Sequence, residues 1–480
     1  MKNFKIIKSL VYKNLTSNIN NNYVLSNPFF HINRKHPETI QKYQMINNNN
    51  FYFLFFYLLI KYFLKKFANL FLSLLEKNND NFLNKNSKKK DYVLSHLLNK
   101  NQLFKNEEIY MNNVIDKLLY PSVPNIILLN CTQFRNSVLF KNKSNKATSN
   151  KLILNIRLNF FKEFKIFLNQ IYESFFFLKK SFTNNILLRK FYLLAFLSFY
   201  HPQFRYNLIT LEQLKKIFSS NSITNLFLTF EGHAIDRAII RLAKNNNIKK
   251  IYGYYHPPLF DNLIFTKYKF SSDCNPDYLI TSSKNSYNFF KQVYKNKTLC
   301  VPKINIKISN LKIKFRKKNL CLVLPEGLHE DTIFFIKNIS EIANKNLNIN
   351  FFFQLHPGID VTYYKKIIDK LNLPNLSVIN NTNIQKKNIK WCLYTGSSSV
   401  LENVAKYKMI PIHLRYNRFY NLDCLFKIKN NSIKKTFFNN SKLDQYFKIC
   451  LNKKINSVTF RNLNVITKYC SDFFTFLKIK

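Results

Sequence analysis

Apolar positions along the chain fall into two regimes. From Pro124 onward, short apolar runs of strand length alternate with stretches of helical period, which is the pattern of parallel strands buried on both faces with helices between them. The predicted strands are 125–130, 226–230, 250–254, 278–281 and 298–301, then 320–324, 350–355, 377–379, 391–394 and 409–414. Between them, Phe160, Phe161, Phe164, Phe167, Leu168, Ile171 and Phe175 share one helical face, expected to be core or domain packing. Further helices are predicted through Ile235, Ala238, Ile239 and Leu242, and over 283–294, 331–344 and 361–371. The basic, poorly patterned stretch 303–318 reads as a linker between two α/β sets.

Before Pro124 the pattern is far less legible. Residues 51–75 are the most apolar, but Lys61, Lys65 and Lys66 interrupt them. The uninterrupted run 51–60 falls well short of the ~20 residues a spanning helix needs. An aromatic helix with lysines on one side suits a membrane interface, or burial against the next domain. Residues 78–90 read as a polar linker, and residues 1–12 mix lysines among apolar residues without a secretory cleavage pattern. The expected organisation is α/β: a helical region over 1–120, Rossmann-like domains over 121–302 and 319–440 facing a cleft, and a helical segment over 441–480.

Composition changes this picture in two ways. A formal net charge of +50 points to nucleic acid or an anionic membrane surface. A chain crowded with Lys, Asn, Ile, Phe and Tyr, the set that AT-rich codons favour, also acquires such a charge without any partner. No nucleic-acid module is recognisable and the basic residues are not concentrated in one stretch, so nucleic acid is not the expected partner. The eight cysteines lack C-x-x-C spacing and read as reduced, buried residues of a cytosolic protein.

The same bias makes glycine informative. A chain of this size would carry about 34 at the usual ~7%; this one has five, Gly232, Gly253, Gly327, Gly358 and Gly396. Each lies beside polar or ionisable residues: Glu231 and His233, His256, Glu326 and His329, His356 and Pro357, and Ser397, Ser398 and Ser399. The survivors are expected where φ is positive or where the backbone approaches a ligand closely. The run from Trp391 to Leu414 predicts strand, tight turn, helix and strand, with the turn's N–H groups and hydroxyls aimed past the strand's carboxyl end at an anion, phosphate being the natural one. His356, held by Pro357 and Gly358 after a strand, is placed to donate to the same phosphate, and Glu402 to accept from a ribose.

The His356-Pro357 pair, the serine-rich turn and helix about 40 residues on, and the run Lys408-Met-Ile-Pro-Ile412 resemble the nucleotide-sugar half of GT-B glycosyltransferases. Closest are the bacterial sialyltransferases and polysialyltransferases, the capsule Kdo transferases and the surface carbohydrate biosynthesis group. Glu231-Gly232 resembles their acidic motif, although Phe230 stands where the family has an acid; Pro325-Glu-Gly327 is a rival for that role. The resemblance spans about 225–423. It implies inverting transfer from a CMP-activated sugar to a glycan or lipid-linked acceptor, without metal or resident cofactor, in the cytoplasm and peripherally on the inner membrane face. Glu231 and His256 would then be catalytic. Glu326, His356, Pro357, Gly358, Gly396, Ser397, Ser398, Ser399 and Glu402 would bind the donor. A teichoic-acid-type glycerophosphotransferase with a CDP-activated donor and a non-catalytic basic nucleic-acid-binding protein are the alternatives.

Overall fold

The computed structural model describes residues 2–18, 20–30, 45–75, 91–97, 125–130, 151–255, 272–281, 284–294, 298–300, 311–314, 318–326, 329–356, 359, 361–379, 388–396, 399–407, 409–415, 423–425, 434–452 and 457–460. Two parallel sheets organise it. The first holds β1 (Asp91–Leu97), β2 (Asn125–Asn130), β3 (Lys151–Ile153), β4 (Asn225–Thr229), β5 (Lys250–Tyr255), β6 (Tyr278–Thr281) and β7 (Thr298–Cys300), in the order β3-β2-β1-β4-β5-β6-β7. A short antiparallel pair joins β8 (Leu311–Lys314), within the expected linker, to β15 (Ser457–Phe460) near the end of the chain. The second sheet holds β9 (Lys318–Leu324), β10 (Asn350–Phe353), β11 (Leu376–Val378), β12 (Ile389–Tyr394), β13 (Ile410–Leu414) and β14 (Lys435–Phe437), in the order β11-β10-β9-β12-β13-β14. Both sheets therefore grow one way for three strands and then restart on the other side of the first. That is the doubly wound Rossmann order, and its switch points lie between β1 and β4 and between β9 and β12.

Alternation along the strands explains how the sheets are covered. In the second sheet Leu322, Leu324, Cys392 and Tyr394 pack on one face with Val400 and Val404, while Cys321, Val323, Trp391 and Leu393 pack on the other with Phe335, Ile339 and Phe447. In the first, Leu94, Leu228, Ile251 and Leu279 share a cluster with Leu214 and Ile240 from flanking helices. Strands buried on both faces read as continuous apolar runs, which is why the sequence located them.

The first sheet starts at Asp91, earlier than the expected first strand at 125, so the N-terminal stretch is not purely helical. Its helices are α1 (Lys2–Ser17), α2 (Asn22–Leu25) and α3 (Phe51–Leu74). They pack against α4 (Phe160–Ser181), α5 (Ile186–Ser198) and α6 (Pro202–Ser220) in a separate core containing Ile7, Phe29, Phe55, Phe177, Phe191 and Phe204. Helix α6 joins this layer to the sheet, since its Leu214, Ile217 and Phe218 belong to the sheet's own cluster.

The aromatic stripe expected to pack inward on α4 is split: Phe167 is buried and Phe160 and Ile171 pack against the core, while the other four face outward. Phe161 is 80% exposed, and Phe164, Leu168 and Phe175 are exposed with it. The inward face also carries Glu163, Gln170 and Ser174 beside Ile166, Phe167 and Phe177. Those polar groups are satisfied internally: Arg205 pairs with Glu163, Lys66 of α3 donates to Gln170, and Ser174 lies 2.8 Å from the Tyr200 hydroxyl. A buried polar face is tolerated only when paired in this way. Residues 78–90, the expected polar linker, and 461–480 lie outside the described residues.

Candidate functional site

Both switch points carry polar side chains. In the first sheet, β4 ends at Thr229, and Glu231-Gly232-His233 lead into α7 (Ala234–Asn245). Gly232 has φ 78°, the left-handed conformation expected of a surviving glycine. Asp236, in the first turn of α7, fixes this corner: its Oδ2 accepts the backbone N–H of Glu231 and of His233, each at 3.0 Å. Burial raises the Asp236 carboxyl to about 6, with Glu231 adding to the rise and His233 and the two N–H groups opposing it. The Glu231 side chain remains partly open, and its Oε2 lies 3.5 Å from His233 Nε2.

His96, at the end of the neighbouring β1, completes this cluster and was not anticipated. Its Nε2 lies 3.3 Å from Thr229 Oγ1. Burial lowers its pKa to about 4 against the opposing pull of the Glu231 charge, so the ring is neutral at physiological pH. Gly253, on β5, serves close packing rather than a ligand: a Cβ there would lie 2.8 Å from Phe230 Cβ and 2.9 Å from Pro276 Cγ. His256, expected in the acceptor wall, lies outside the described residues.

At the second switch point, Glu326 follows β9, and Gly396 follows β12 before α11 (Ser399–Tyr407). The two meet. A Cβ on Gly396 would fall on the Glu326 carboxylate, so glycine here makes room for the acid. Glu326 is buried, whereas His356, beyond the adjacent β10, is exposed on a loop whose turn is closed by Ile359 N–H to the His356 carbonyl at 3.1 Å. Glu326, His356 and Gly396 thus follow the carboxyl ends of three adjacent strands, and Ser399 opens the helix after the third. Pro357, Gly358, Ser397 and Ser398 lie outside the described residues, as does the side chain of Glu402 on α11.

Behind Thr395 and Gly396 sits a buried network that pattern alone did not reveal. The Tyr394 hydroxyl donates to Asp423 Oδ1 at 2.8 Å, the Leu425 N–H donates to the same oxygen at 2.9 Å, and Lys434 Nζ donates to Oδ2 at 2.6 Å. His413 Nε2 lies 3.0 Å from the Thr395 carbonyl, and its ring stacks on Tyr394 at 4.9 Å. Burial favours the neutral acid at Asp423, but His413, Lys434 and the donated hydrogen bonds outweigh it and hold the carboxyl below its usual range. His413 is pushed down to about 4 by burial, against the pull of Asp423. The network ties β12, β13 and the Asp423 segment together beneath the turn. Among the described residues no cluster of His, Cys, Asp and Glu could hold a metal ion.

No protein-family model matches the chain, and no curated protein does. Among solved structures it is similar to the UDP-GlcNAc 2-epimerase of Methanocaldococcus jannaschii in complex with UDP-GlcNAc and UDP, at 15% identity and TM-score 0.44, covering 81% of this chain and 98% of that one. It is also similar to CalG4, the calicheamicin glycosyltransferase, at 8% identity and TM-score 0.44, covering 77% and 91%. A third is MurG of Acinetobacter baumannii, at 11% identity and TM-score 0.37, covering 76% and 91%. All three scores lie below 0.5, so the fold rests on the strand orders themselves.

Proposed function

We propose that this chain is a GT-B-like glycosyltransferase of surface polysaccharide biosynthesis, moving a sugar from a CMP-activated donor to a glycan acceptor with inversion. One observation carries the reading: two doubly wound sheets each present a carboxylate at the switch point, one beside imidazoles and one beside a glycine turn that opens a helix. Doubly wound sheets bind ligands at such points. In this reading Glu231 removes the proton of the acceptor hydroxyl as that oxygen bonds to the anomeric carbon and the bond from that carbon to the CMP phosphate oxygen breaks. The N-terminus of α11, its serines and His356 take up the charge developing on the departing phosphate. Asp236 holds the Glu231 corner through two backbone N–H groups, which keeps the base in register.

Thermal shift with CMP, CDP, UDP and GDP, and with an oligonucleotide, tests the donor half. Stabilisation by CMP or CDP is the expected outcome, amounting to about 2.7 kcal/mol at ligand 100-fold above Kd. A shift with UDP or GDP and none with the cytidine nucleotides would exclude a CMP-sugar, and a shift with the oligonucleotide alone would exclude the transferase.

A further inference from the structure

Helix α3 carries an apolar stripe on its outward face. Phe53, Phe56, Ile60, Leu64, Phe67 and Phe71 recur at helical spacing, and Phe53, Ile60 and Phe71 are 74%, 61% and 68% exposed. At 1.5 Å per residue this stripe runs about 27 Å along the helix. The inward face holds Phe51, Phe55, Tyr62 and Leu70 together with Lys66 and Ser73, all buried. Helix α4 also exposes apolar side chains, Phe161, Phe164, Leu168 and Phe175 among them, and the two helices meet where Phe67 packs edge-on against Phe167 with ring centroids 6.0 Å apart. Monomeric soluble proteins rarely expose apolar patches beyond a few hundred Å², and a helix apolar all round is normally buried or in contact with lipid. No described helix is long and apolar enough to cross a membrane.

Charge selects the occupant. Helix α3 has three lysines and no acid, with Lys61 and Lys65 exposed beside the stripe, and α4 adds exposed Lys165, Lys179 and Lys180. On α4 the acids are withdrawn: Glu163 is buried against Arg205, and Glu173 accepts a hydrogen bond from Asn21. Two copies of a chain with net charge +50 repel each other, whereas an anionic lipid surface attracts this face through both its lysines and its aromatic side chains. We infer that α3 and α4 dock the protein flat on an anionic lipid surface, their aromatic stripes sunk to the level of the acyl chains and their lysines at the headgroup phosphates. This does not depend on the proposed chemistry.

Co-sedimentation of the full chain with phosphatidylcholine vesicles, with and without phosphatidylglycerol, tests it. Binding is expected to require phosphatidylglycerol, to weaken with salt, and to fall by at least about tenfold in Phe53→Ser/Phe71→Ser, with the circular dichroism spectrum unchanged. A second variant, Ile60→Trp, is expected to be quenched by brominated acyl chains only in the anionic vesicles; the buried native Trp391 provides a silent background. Any one of three results would overturn the proposal: equal binding by the serine variant and the parent, absence of quenching, or concentration-dependent dimers that those serines abolish without vesicle binding. Unfolding of the serine variant together with no quenching of Ile60→Trp would mean that another segment of this chain covers the face.

Discussion

Glu326 and Gly396 form a couple whose two halves can be tested separately. A side chain at 396 must displace the Glu326 carboxylate, which is the movable end of its side chain, so Gly396→Ala is expected to fold with a stability change of about 1 kcal/mol or less while moving the acid. Its nucleotide affinity, measured by calorimetry, should fall together with that of Glu326→Gln; wild-type affinity in Gly396→Ala would remove Glu326 from the donor site. Gly253→Ala meets Phe230 Cβ and Pro276 Cγ instead, neither of which can swing away, and serves as the contrasting case in which stability alone is lost. The five glycines were legible because codon bias strips glycine from permissive turns. The three in described segments prove to be one positive φ and two close approaches. The partners His96, Asp236, His413 and Lys434 were not legible as such. Each acts through a contact made when strands distant in sequence come together, and no spacing encodes that.

Helices α3 and α4 show where pattern reading stops. Periodicity identifies which residues share a helical face; which face turns inward depends on what the partner helix offers. Here Gln170 offers an acceptor to Lys66, and Arg205 pairs with Glu163, so these polar residues went in beside Phe55, Phe167 and Phe177 while other phenylalanines stayed out. The strands were the opposite case, since burial on both faces leaves no orientation to decide. Those that escaped are β1, whose Asp91, Ser95 and His96 interrupt its apolar run, and the short strands β3, β8, β14 and β15, of three or four residues each. The buried lysine makes a pH prediction. Burial lowers Lys66 to about 7 from 10.5, with Arg205 adding to the fall and Glu163 opposing it. Between those values the unfolded chain holds a proton that the folded chain lacks, so stability rises with pH across that window. The full penalty, on the order of 5 kcal/mol, is present below about 7. Thermal melts should therefore gain stability between pH 7 and 9, and Lys66→Met/Gln170→Leu should lose that gain while removing the buried amine and its acceptor together. An identical pH slope in the double variant would mean that Lys66 is charged and solvated in the folded protein.

At the scale of the whole molecule, the two sheets share one strand order and each carries a carboxylate at its switch point, so the proposed transfer divides its roles between Glu231 and Glu326. Their surroundings differ in a way that assigns the work. Glu326 is buried against Gly396, beside the helix start that suits a phosphate; a second negative charge there is poorly placed to approach a hydroxyl but well placed to shape the donor pocket. Glu231 is partly open, has His233 within 3.5 Å, and stands on a corner locked by Asp236. A base must come within about 3 Å of the attacking oxygen, on the side away from the leaving phosphate, and only the first sheet's acid lies in the half opposite the donor turn. Glu231→Gln is therefore expected to keep nucleotide affinity while losing most turnover, by about 10²-fold or more, and Glu326→Gln to weaken nucleotide binding with a smaller effect on turnover at saturation. Asp236→Asn separates positioning from catalysis: its uncharged amide oxygen can still accept both N–H groups where Oδ2 does now, so its turnover should fall less than that of Glu231→Gln, with a small loss of melting temperature. Full turnover in Glu231→Gln, with an inert Glu326→Gln that binds nucleotide normally, would transfer the role of base to the second sheet.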